Sequence, residues 1–265
     1  MTAKKSNGRF LSVYVGVVLA FLAMPILVII PSAFSDGTSL SFPPQGFSLR
    51  WFWNIFAWKN FLPAFFLSLA IAVTATAISL VLGTLASFAL VRHKFVGREL
   101  VLNLFLTPLI FPAIVLAVGI AMVLSPLGLL RTFTGMVIAH VLITLPYVVR
   151  TISATLSEID RSYEEAAATL GANVWTTFFR VTMPLLRPAF TAGATFSLII
   201  SFDEFTISLF LVGPGMMTLP LEIYNYTEFS MDPTVAAIST VLIALSAVCV
   251  VVVDRTVGFG KHAGG

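Results

Sequence analysis

The segment that decides the fold is residues 164–184, which read EEAAATLGANVWTTFFRVTMP. It stands between two long apolar blocks, and no other part of the hydrophobic body is as polar over such a length. Ser162-x-x-Glu165 has the spacing of a capping box, the alanines that follow favour a helix, and Gly171 stands where a left-handed residue would end it. Asn173 can cap a second short helix. The sequence therefore predicts a compact helix–turn–helix segment between two membrane spans.

The composition places most of the chain in a membrane. Of its 265 residues, 58% are hydrophobic and 10% are charged, and the mean hydropathy is +1.00. A soluble domain carries about 25% charged residues, so the apolar blocks must face lipid or each other. Each block is long enough to cross about 30 Å of hydrocarbon as a helix. We therefore predict an all-α membrane protein, with one transmembrane domain over residues 1–265 and six spans at 10–34, 61–91, 100–124, 133–152, 189–212 and 234–253.

The basic residues predict the orientation. With a cytoplasmic N-terminus, the cytoplasmic side holds Lys4, Lys5, Arg9, Arg92, Lys94, Arg98, Arg150, Arg161, Arg180, Arg187, Arg255 and Lys261. The outer side holds Arg50, Lys59 and Arg131. This asymmetry follows the positive-inside rule and places both termini in the cytoplasm. The net charge of +3 is thereby explained without a nucleic-acid partner, and none is predicted.

Two segments on the predicted outer side are rich in turn and aromatic residues. Residues 36–60 contain Trp51, Trp53 and Trp58, which suit either an aromatic belt at the lipid headgroups or a lip that meets a partner outside the membrane. Residues 213–233 open with Gly-Pro-Gly. They are more apolar than an ordinary loop, yet they are too short and too polar to form a membrane span. They predict a re-entrant or interfacial helix that could act as an outer gate.

Single residues refine the spans. Pro108 and Pro112 should kink the third span, and Asp232–Pro233 has the sequence of an N-cap and first residue of the last span. The lone cysteine, Cys249, is predicted to be a small buried apolar residue. The positively charged N-terminus and its apolar run are interpreted as a retained first helix, because the run is long for a signal peptide.

The segment from residue 153 to 188 lies in the cytoplasm in this topology. Its alanines leave one helix face nearly bare of side chain, which suits insertion into a groove on another protein. A helix that lies on the membrane surface is the alternative.

This segment resembles the EAA loop of bacterial ABC importer permeases. The matching residues are Glu165-Ala166-Ala167, Gly171 and Val181-x-Met183-Pro184, with the family's spacing throughout. Valine and methionine replace the family's isoleucine and leucine and keep an apolar side chain. The resemblance implies the type I importer permease fold and a place in the bacterial inner membrane. It also implies that the loop is a coupling helix that docks on an ATPase subunit, through Glu164, Glu165, Ala166, Ala167, Gly171 and Pro184.

Nucleotide chemistry is assigned to another chain. The sequence has no G-x-x-x-x-G-K-[ST] pattern, so it cannot bind ATP by a P-loop of its own. No catalytic residue, metal site or cofactor is predicted in this chain. ATP and Mg²⁺ would bind to a partner ATP-binding cassette dimer. The resemblance further implies a second, homologous permease and an extracytoplasmic solute-binding protein, beside the membrane lipid.

Two carboxylates stand in the fifth predicted span, in Ser201-Phe202-Asp203-Glu204. An ionisable group in hydrocarbon costs about 2.5 to 3.5 kcal/mol on insertion scales, so Asp203 and Glu204 must face a cavity, a partner helix or water. They could lock helices together by hydrogen bonds, or they could line a pathway that attracts cations. We assign Phe202, Asp203, Glu204 and Tyr224 to a candidate substrate pathway.

Residues 140–240 resemble one branch of the family, the second permease subunit of spermidine/putrescine importers. The shared residues are His140, Pro146-Tyr147, the EAA loop, Ser201-Phe202-Asp203-Glu204, Gly213-Pro214, Thr218-Leu219-Pro220 and Ile223-Tyr224. The resemblance implies a small solute, with a polyamine first and another amine or organic solute as the alternative. His140 is interpreted as a satisfied contact between helices.

Two other classes of function stay open at this point. A secondary transporter or channel could use Asp203 and Glu204 to carry protons or ions without an ATPase. An assembly scaffold would need these carboxylates for complex formation and not for flux.

Overall fold

The computed structural model describes residues 7–257, and all regular structure within that range is helical. Lys4, Lys5 and Lys261 lie outside the described residues, as does the side chain of Cys249. The helices are α1 Asn7–Ala33, α2 Arg50–Ala57, α3 Phe61–Arg92, α4 Arg98–Leu106, α5 Ala113–Leu124, α6 Phe133–Glu158, α7 Ser162–Thr169, α8 Val174–Thr177, α9 Met183–Leu185, α10 Arg187–Asp203, α11 Thr206–Leu211, α12 Leu219–Phe229 and α13 Thr234–Val257. The all-α class is confirmed.

The number of spans differs in detail from the prediction of six. In the described part of the chain, α1, α3 and α6 are long and apolar enough to cross a membrane. Two further spans exist only if each of two bent pairs counts as one crossing. In α13 the apolar stretch within the described residues is shorter, Thr234–Val248. The count of six therefore stays a prediction.

The third predicted span is sharply broken at its prolines. A 3₁₀ turn at Thr107–Leu109 follows α4, and α5 begins directly after Pro112. The two parts meet at 107°. Pro108 and Pro112 cannot donate backbone hydrogen bonds, so the expected kink is present and is much larger than a gentle bend.

The chain divides into two compact units. The first contains α1, α2 and the chain up to Phe61, together with Ile223–Cys249. The second contains Leu62–Glu222 and the end of α13. The single transmembrane domain stays a prediction.

In the first unit, the loop after α1 is held by polar contacts of its aromatic helix α2. The Trp51 indole N–H donates to the Ser35 carbonyl at 2.8 Å, and Trp51 is buried while Trp53 is 72% exposed. The two tryptophans therefore do not share one headgroup-facing belt. Trp58 packs on Tyr226 with ring centroids 4.6 Å apart.

The start of α13 follows the sequence prediction. Asp232 Oδ1 accepts a hydrogen bond from the Thr234 N–H at 2.9 Å, and the Ala237 N–H donates to the Pro233 carbonyl. These are the contacts of an N-cap followed by a proline at the first helical position.

In the second unit, α3, α6 and α10 pack closely in the membrane-spanning region. Ser79 and Thr144 share a hydrogen bond of 2.7 Å, and Ser87 donates to the Val149 carbonyl at 3.2 Å. A Cβ added at Gly83 would lie 2.6 Å from Val148 Cγ1. Small and hydroxyl-bearing residues therefore let α3 approach α6 closely, as is usual between membrane helices.

We expect Gly83→Ala to lower the thermal stability of the purified permease. The added methyl has no room beside Val148, and overpacking costs about 1–3 kcal/mol. Gly119→Ala is the matched control, because a Cβ at this other helical glycine meets nothing within 4 Å. Thermal unfolding in detergent measures both variants. Equal melting temperatures for the two would contradict the close approach at Gly83.

Candidate functional site: the coupling segment and the interrupted tenth helix

The polar segment between α6 and α10 forms the predicted helix–turn–helix, with a different N-terminal cap. Ser162 is already the first residue of α7. The acceptor for its backbone N–H is Asp160 Oδ1 at 2.9 Å, and no Ser162–Glu165 capping box forms. This hydrogen bond from the Ser162 backbone lowers the pKa of Asp160. The capping-box prediction was wrong because an Asx-type acceptor two residues upstream reaches the same orphan donor.

The C-terminal end of α7 is as predicted. Gly171 has φ +84°, in the left-handed region where glycine is favoured. The Ala172 N–H donates to Ala167 O at 3.0 Å and the Gly171 N–H to Ala168 O at 2.9 Å. These two hydrogen bonds make a Schellman motif. Asn173 Oδ1 then accepts from the Thr176 N–H at 2.8 Å and caps α8.

The return from the segment into α10 is helical and bent. A π-helical turn, Phe178–Thr182, leads into α9, and Val174–Leu185 meets Arg187–Asp203 at 71°. Pro184 lies inside α9 rather than ending a helix. It lines a cleft beside Arg187.

The two adjacent glutamates of the segment have different surroundings. Glu164 Oε1 accepts from Arg92 Nη2 and from Thr182 Oγ1, each at 3.1 Å. Glu165 is exposed, and its carboxylate has no partner among the described residues. The structure therefore separates two residues that the sequence analysis placed in one group. In the sequence, Arg92 indicates only the topology, and its pairing with Glu164 is not predicted.

The exposed side of the segment is strongly apolar. Ala166 is exposed and Ala167 is half-buried. Beside them Leu170 is 89% exposed and Trp175 is 72% exposed. An exposed apolar patch of this kind is typical of a surface that contacts another protein or the membrane.

The second part of the site lies where the predicted fifth span is interrupted. The continuous helix predicted for 189–212 was wrong, because α10 ends at Asp203 and α11 begins at Thr206. Glu204 has extended backbone, with ψ 111°. Glu204 Oε1 accepts from the Ile207 N–H at 2.9 Å. The carboxylate thus satisfies a backbone donor at the start of α11, which a break inside a membrane requires.

Asp203 is the exposed carboxylate at this interruption. The neighbouring Phe202 ring contacts Phe65 on α3 edge to face, with centroids 5.8 Å apart. Tyr224 belongs to the other unit, on α12, and its hydroxyl donates to Glu228 Oε1 at 2.7 Å. The second unit contains Phe202, Asp203 and Glu204, whereas Tyr224 belongs to the first unit.

A buried histidine ties the two sides of the interruption. His140 Nδ1 lies 2.7 Å from Ser201 Oγ on α10, and Nε2 lies 3.3 Å from Ser208 Oγ on α11. All three residues are at most 2% exposed. The interpretation of His140 as a satisfied contact between helices is confirmed.

Sequence reasoning missed two further residues near these features. Glu222 on α12 is 6% exposed and is a buried acidic residue within the predicted gate, residues 213–233. Ser68 on α3 accepts from the Leu219 N–H at 2.7 Å. The sequence does carry a signal for Glu222, because it is an acidic residue within an apolar segment. It carries none for the Ser68–Leu219 contact, because the two residues are far apart in the chain.

Comparison with known proteins identifies the family to which the chain belongs. The family model described as "Binding-protein-dependent transport system inner membrane component" matches residues 79–259. The chain belongs to this family. It is an inner-membrane permease of an ABC importer, a multi-pass membrane protein and a transport component. A secondary transporter or channel is thereby set aside.

Individual relatives cover nearly the whole permease. The spermidine/putrescine transport system permease protein PotC of Shigella flexneri is 31% identical over 248 residues, 92% of this chain and 94% of that protein. The putrescine transport system permease protein PotI of Escherichia coli is 32% identical and covers 84% of this chain and 82% of that protein. Among solved structures, a chain of a bacterial ABC transporter that imports alginate superposes with a TM-score of 0.73 at 20% identity, covering 97% of this chain and 98% of that chain. This last similarity supports the fold.

Proposed function

We propose that the permease forms part of the translocation pathway for a small cationic amine, with putrescine and spermidine as first candidates. The names of its PotC and PotI relatives support this substrate class. The observation that carries the proposal is Asp203, an exposed carboxylate at an interruption between two apolar helices. Ionisable residues at membrane depth mark substrate or ion pathways. Broken helices near the bilayer midplane commonly build such sites.

Within this pathway the two carboxylates have different roles. Glu204 is engaged with the Ile207 amide, so it shapes the interruption. Asp203 offers its charge to the solute, and Phe202 beside it supplies an aromatic wall. Tyr224 is assigned to the outer part of the pathway, on the segment 213–233 that would act as the gate.

Energy would come from a separate ATP-binding cassette dimer that holds ATP and Mg²⁺. The permease would dock on it through the exposed face of α7, with Glu165, Ala166, Ala167 and Gly171 at the contact. A bare alanine face can enter a groove closely, and Glu165 adds a charge that can select the partner. Closure of the dimer around ATP would push this segment and alternate the access of the pathway.

The remaining partners follow from the same proposal. A second, homologous permease would complete the pathway, and an extracytoplasmic solute-binding protein would deliver the amine. Both termini would lie in the bacterial cytoplasm, because the excess of Lys and Arg lies on that side in the six-span topology.

The test is the ATPase activity of the purified complex in lipid, with its binding protein loaded in turn with putrescine, spermidine, a neutral solute and an anionic solute. Stimulation by the amines alone is expected. Stimulation only by a neutral or anionic solute would overturn the amine pathway and keep the ATP-coupled permease. No stimulation by any loaded binding protein would overturn the coupling.

A further inference from the structure

Arg92, the last residue of α3, is paired with the coupling segment. Its Nη2 lies 3.1 Å from Glu164 Oε1, and the two side chains are 10% and 23% exposed. The same carboxylate oxygen accepts from Thr182 at 3.1 Å. An ion pair that is this well shielded from water is screened much less by salt than a surface pair. It joins the first turn of α7 to the end of α3.

Further contacts fix this end of α3 to both ends of the segment. Both terminal nitrogens of Arg92 donate to the Ile159 carbonyl at 3.3 Å. The Arg161 guanidinium donates to the Arg92 carbonyl at 2.7 Å. One turn earlier on α3, Phe88 meets Phe178 edge to face with centroids 5.3 Å apart. With residues 164–184 taken as the coupling segment, these contacts reach the chain just before it, its first residue and its second half.

The other end of α3 reaches the interrupted helix and the gate segment. Phe65 contacts Phe202, the neighbour of Asp203. Ser68 accepts from the backbone N–H of Leu219 at the start of α12. Between these contacts and Arg92, α3 is one continuous helix of 32 residues, about 48 Å long at 1.5 Å per residue. A helix of this length moves as a stiff element.

The chain connects the coupling segment directly to α6 and α10, and α3 continues instead into α4. Any movement of the segment therefore reaches α3 through side-chain and backbone contacts. We propose that the Arg92–Glu164 pair is a strut that transmits displacement of the coupling helix to α3, and through α3 to Phe202 and Leu219. The role in transport rests on the proposed coupling to an ATPase. Glu164 and Arg92 act as positioning residues, and Glu165 is the residue that meets the partner.

Charge reversal and exchange test the strut. In the complete complex, Arg92→Glu and Glu164→Arg should each lower amine uptake per ATP hydrolysed by about tenfold. The double variant restores an opposite-charge pair in reverse order and should recover part of that loss, because a glutamate at position 92 cannot replace the donation of Arg92 to the Ile159 carbonyl. Lys94→Glu and Glu158→Arg are the matched controls, since both residues are exposed near the same turns, and they should leave the ratio unchanged.

A second readout needs no substrate. An environment-sensitive fluorophore on Phe66→Cys, in a Cys249→Ser background, reports movement of the outer half of α3; Phe66 is 61% exposed. ATP should change its emission in the otherwise unaltered complex. That change should fall at least about fivefold with Arg92→Glu and return in part in the exchanged double variant, while nucleotide binding by the partner persists.

The outcomes separate the strut from the function on which it rests. If the unaltered complex shows no ATP-dependent uptake or fluorescence change, the proposed coupling itself fails. If it shows both, and the single variants assemble and keep both, the strut is overturned. If the single variants lose the fluorescence change and the double variant regains none of it, the pair is not the transmitting contact, and the proposal is overturned equally.

Discussion

Replacing Glu165 by lysine should reduce ATP-driven uptake by at least about thirtyfold while the permease still inserts into the membrane. Glu165 is exposed in the first turn of α7, so its loss breaks no described contact within the chain. Removing one partner of a buried interfacial charge pair costs about 2–5 kcal/mol, and each 1.4 kcal/mol is about tenfold in binding. A lysine near a helix N-terminus adds a smaller cost of its own.

Uptake into proteoliposomes and co-purification of the ATPase subunit measure this effect together. Glu158→Lys is the matched control, because it makes the same charge change at an exposed site on the end of α6. Normal uptake and normal association in the Glu165 variant would remove α7 from the proposed docking surface.

Two substitutions at Gly171 distinguish the effect of backbone strain from the effect of charge at the proposed docking surface. The Gly171 φ of +84° disfavours other residues, yet a Cβ there meets nothing within 4 Å. Asparagine and aspartate tolerate this conformation comparably, so Gly171→Asn is the uncharged partner of Gly171→Asp. We expect the aspartate variant to lose coupling and the asparagine variant to retain most of it. Equal losses would assign the effect to strain of the Schellman turn.

The second large effect is expected at Asp203. Asp203→Asn should lower putrescine uptake by about tenfold or more, with little change in the amount of assembled complex. Two unit charges 4 Å apart interact by about 4 kcal/mol at an effective dielectric constant of 20, and a third of that energy is already tenfold in binding. The variant keeps the size of the side chain and removes its charge.

Concentration-dependent uptake of putrescine checks this prediction, with Asp203→Glu as the variant that keeps the charge. Unchanged kinetics in Asp203→Asn would contradict a cation pathway at this residue. Lower assembly with normal flux through the complex that forms would instead favour the scaffold interpretation. Glu204→Gln should be milder than Asp203→Asn, because a glutamine oxygen can still accept from the Ile207 amide.

Local sequence patterns predicted the features whose causes are local. The left-handed glycine that ends α7, the Asn173 cap and the Asp232 cap are each decided by residues within one helical turn, and all three are present. Where a second local acceptor competed, the prediction failed: Asp160, rather than Glu165, accepts the Ser162 N–H at the start of α7.

The interruption at Asp203 shows where local reasoning ends. Residues 189–212 read as one apolar span, and the pattern alone contains no break. In the folded chain, Glu204 satisfies an α11 amide, and His140 on another helix bonds Ser201 and Ser208 on either side. The break exists because partners distant in sequence satisfy the backbone and side-chain groups that it exposes.

By itself the sequence determined the helical membrane class, the position of the polar segment and the family to which that segment belongs, because hydrophobicity and turn chemistry are properties of neighbouring residues. The tertiary structure decided that Glu164 turns inward to Arg92 and Thr182 while Glu165 stays exposed. Two adjacent glutamates on one helix differ by about 100° in direction. Which of them meets α3 depends on where residue 92 lies in space, and that is decided by the packing of helices separated by some seventy residues of chain.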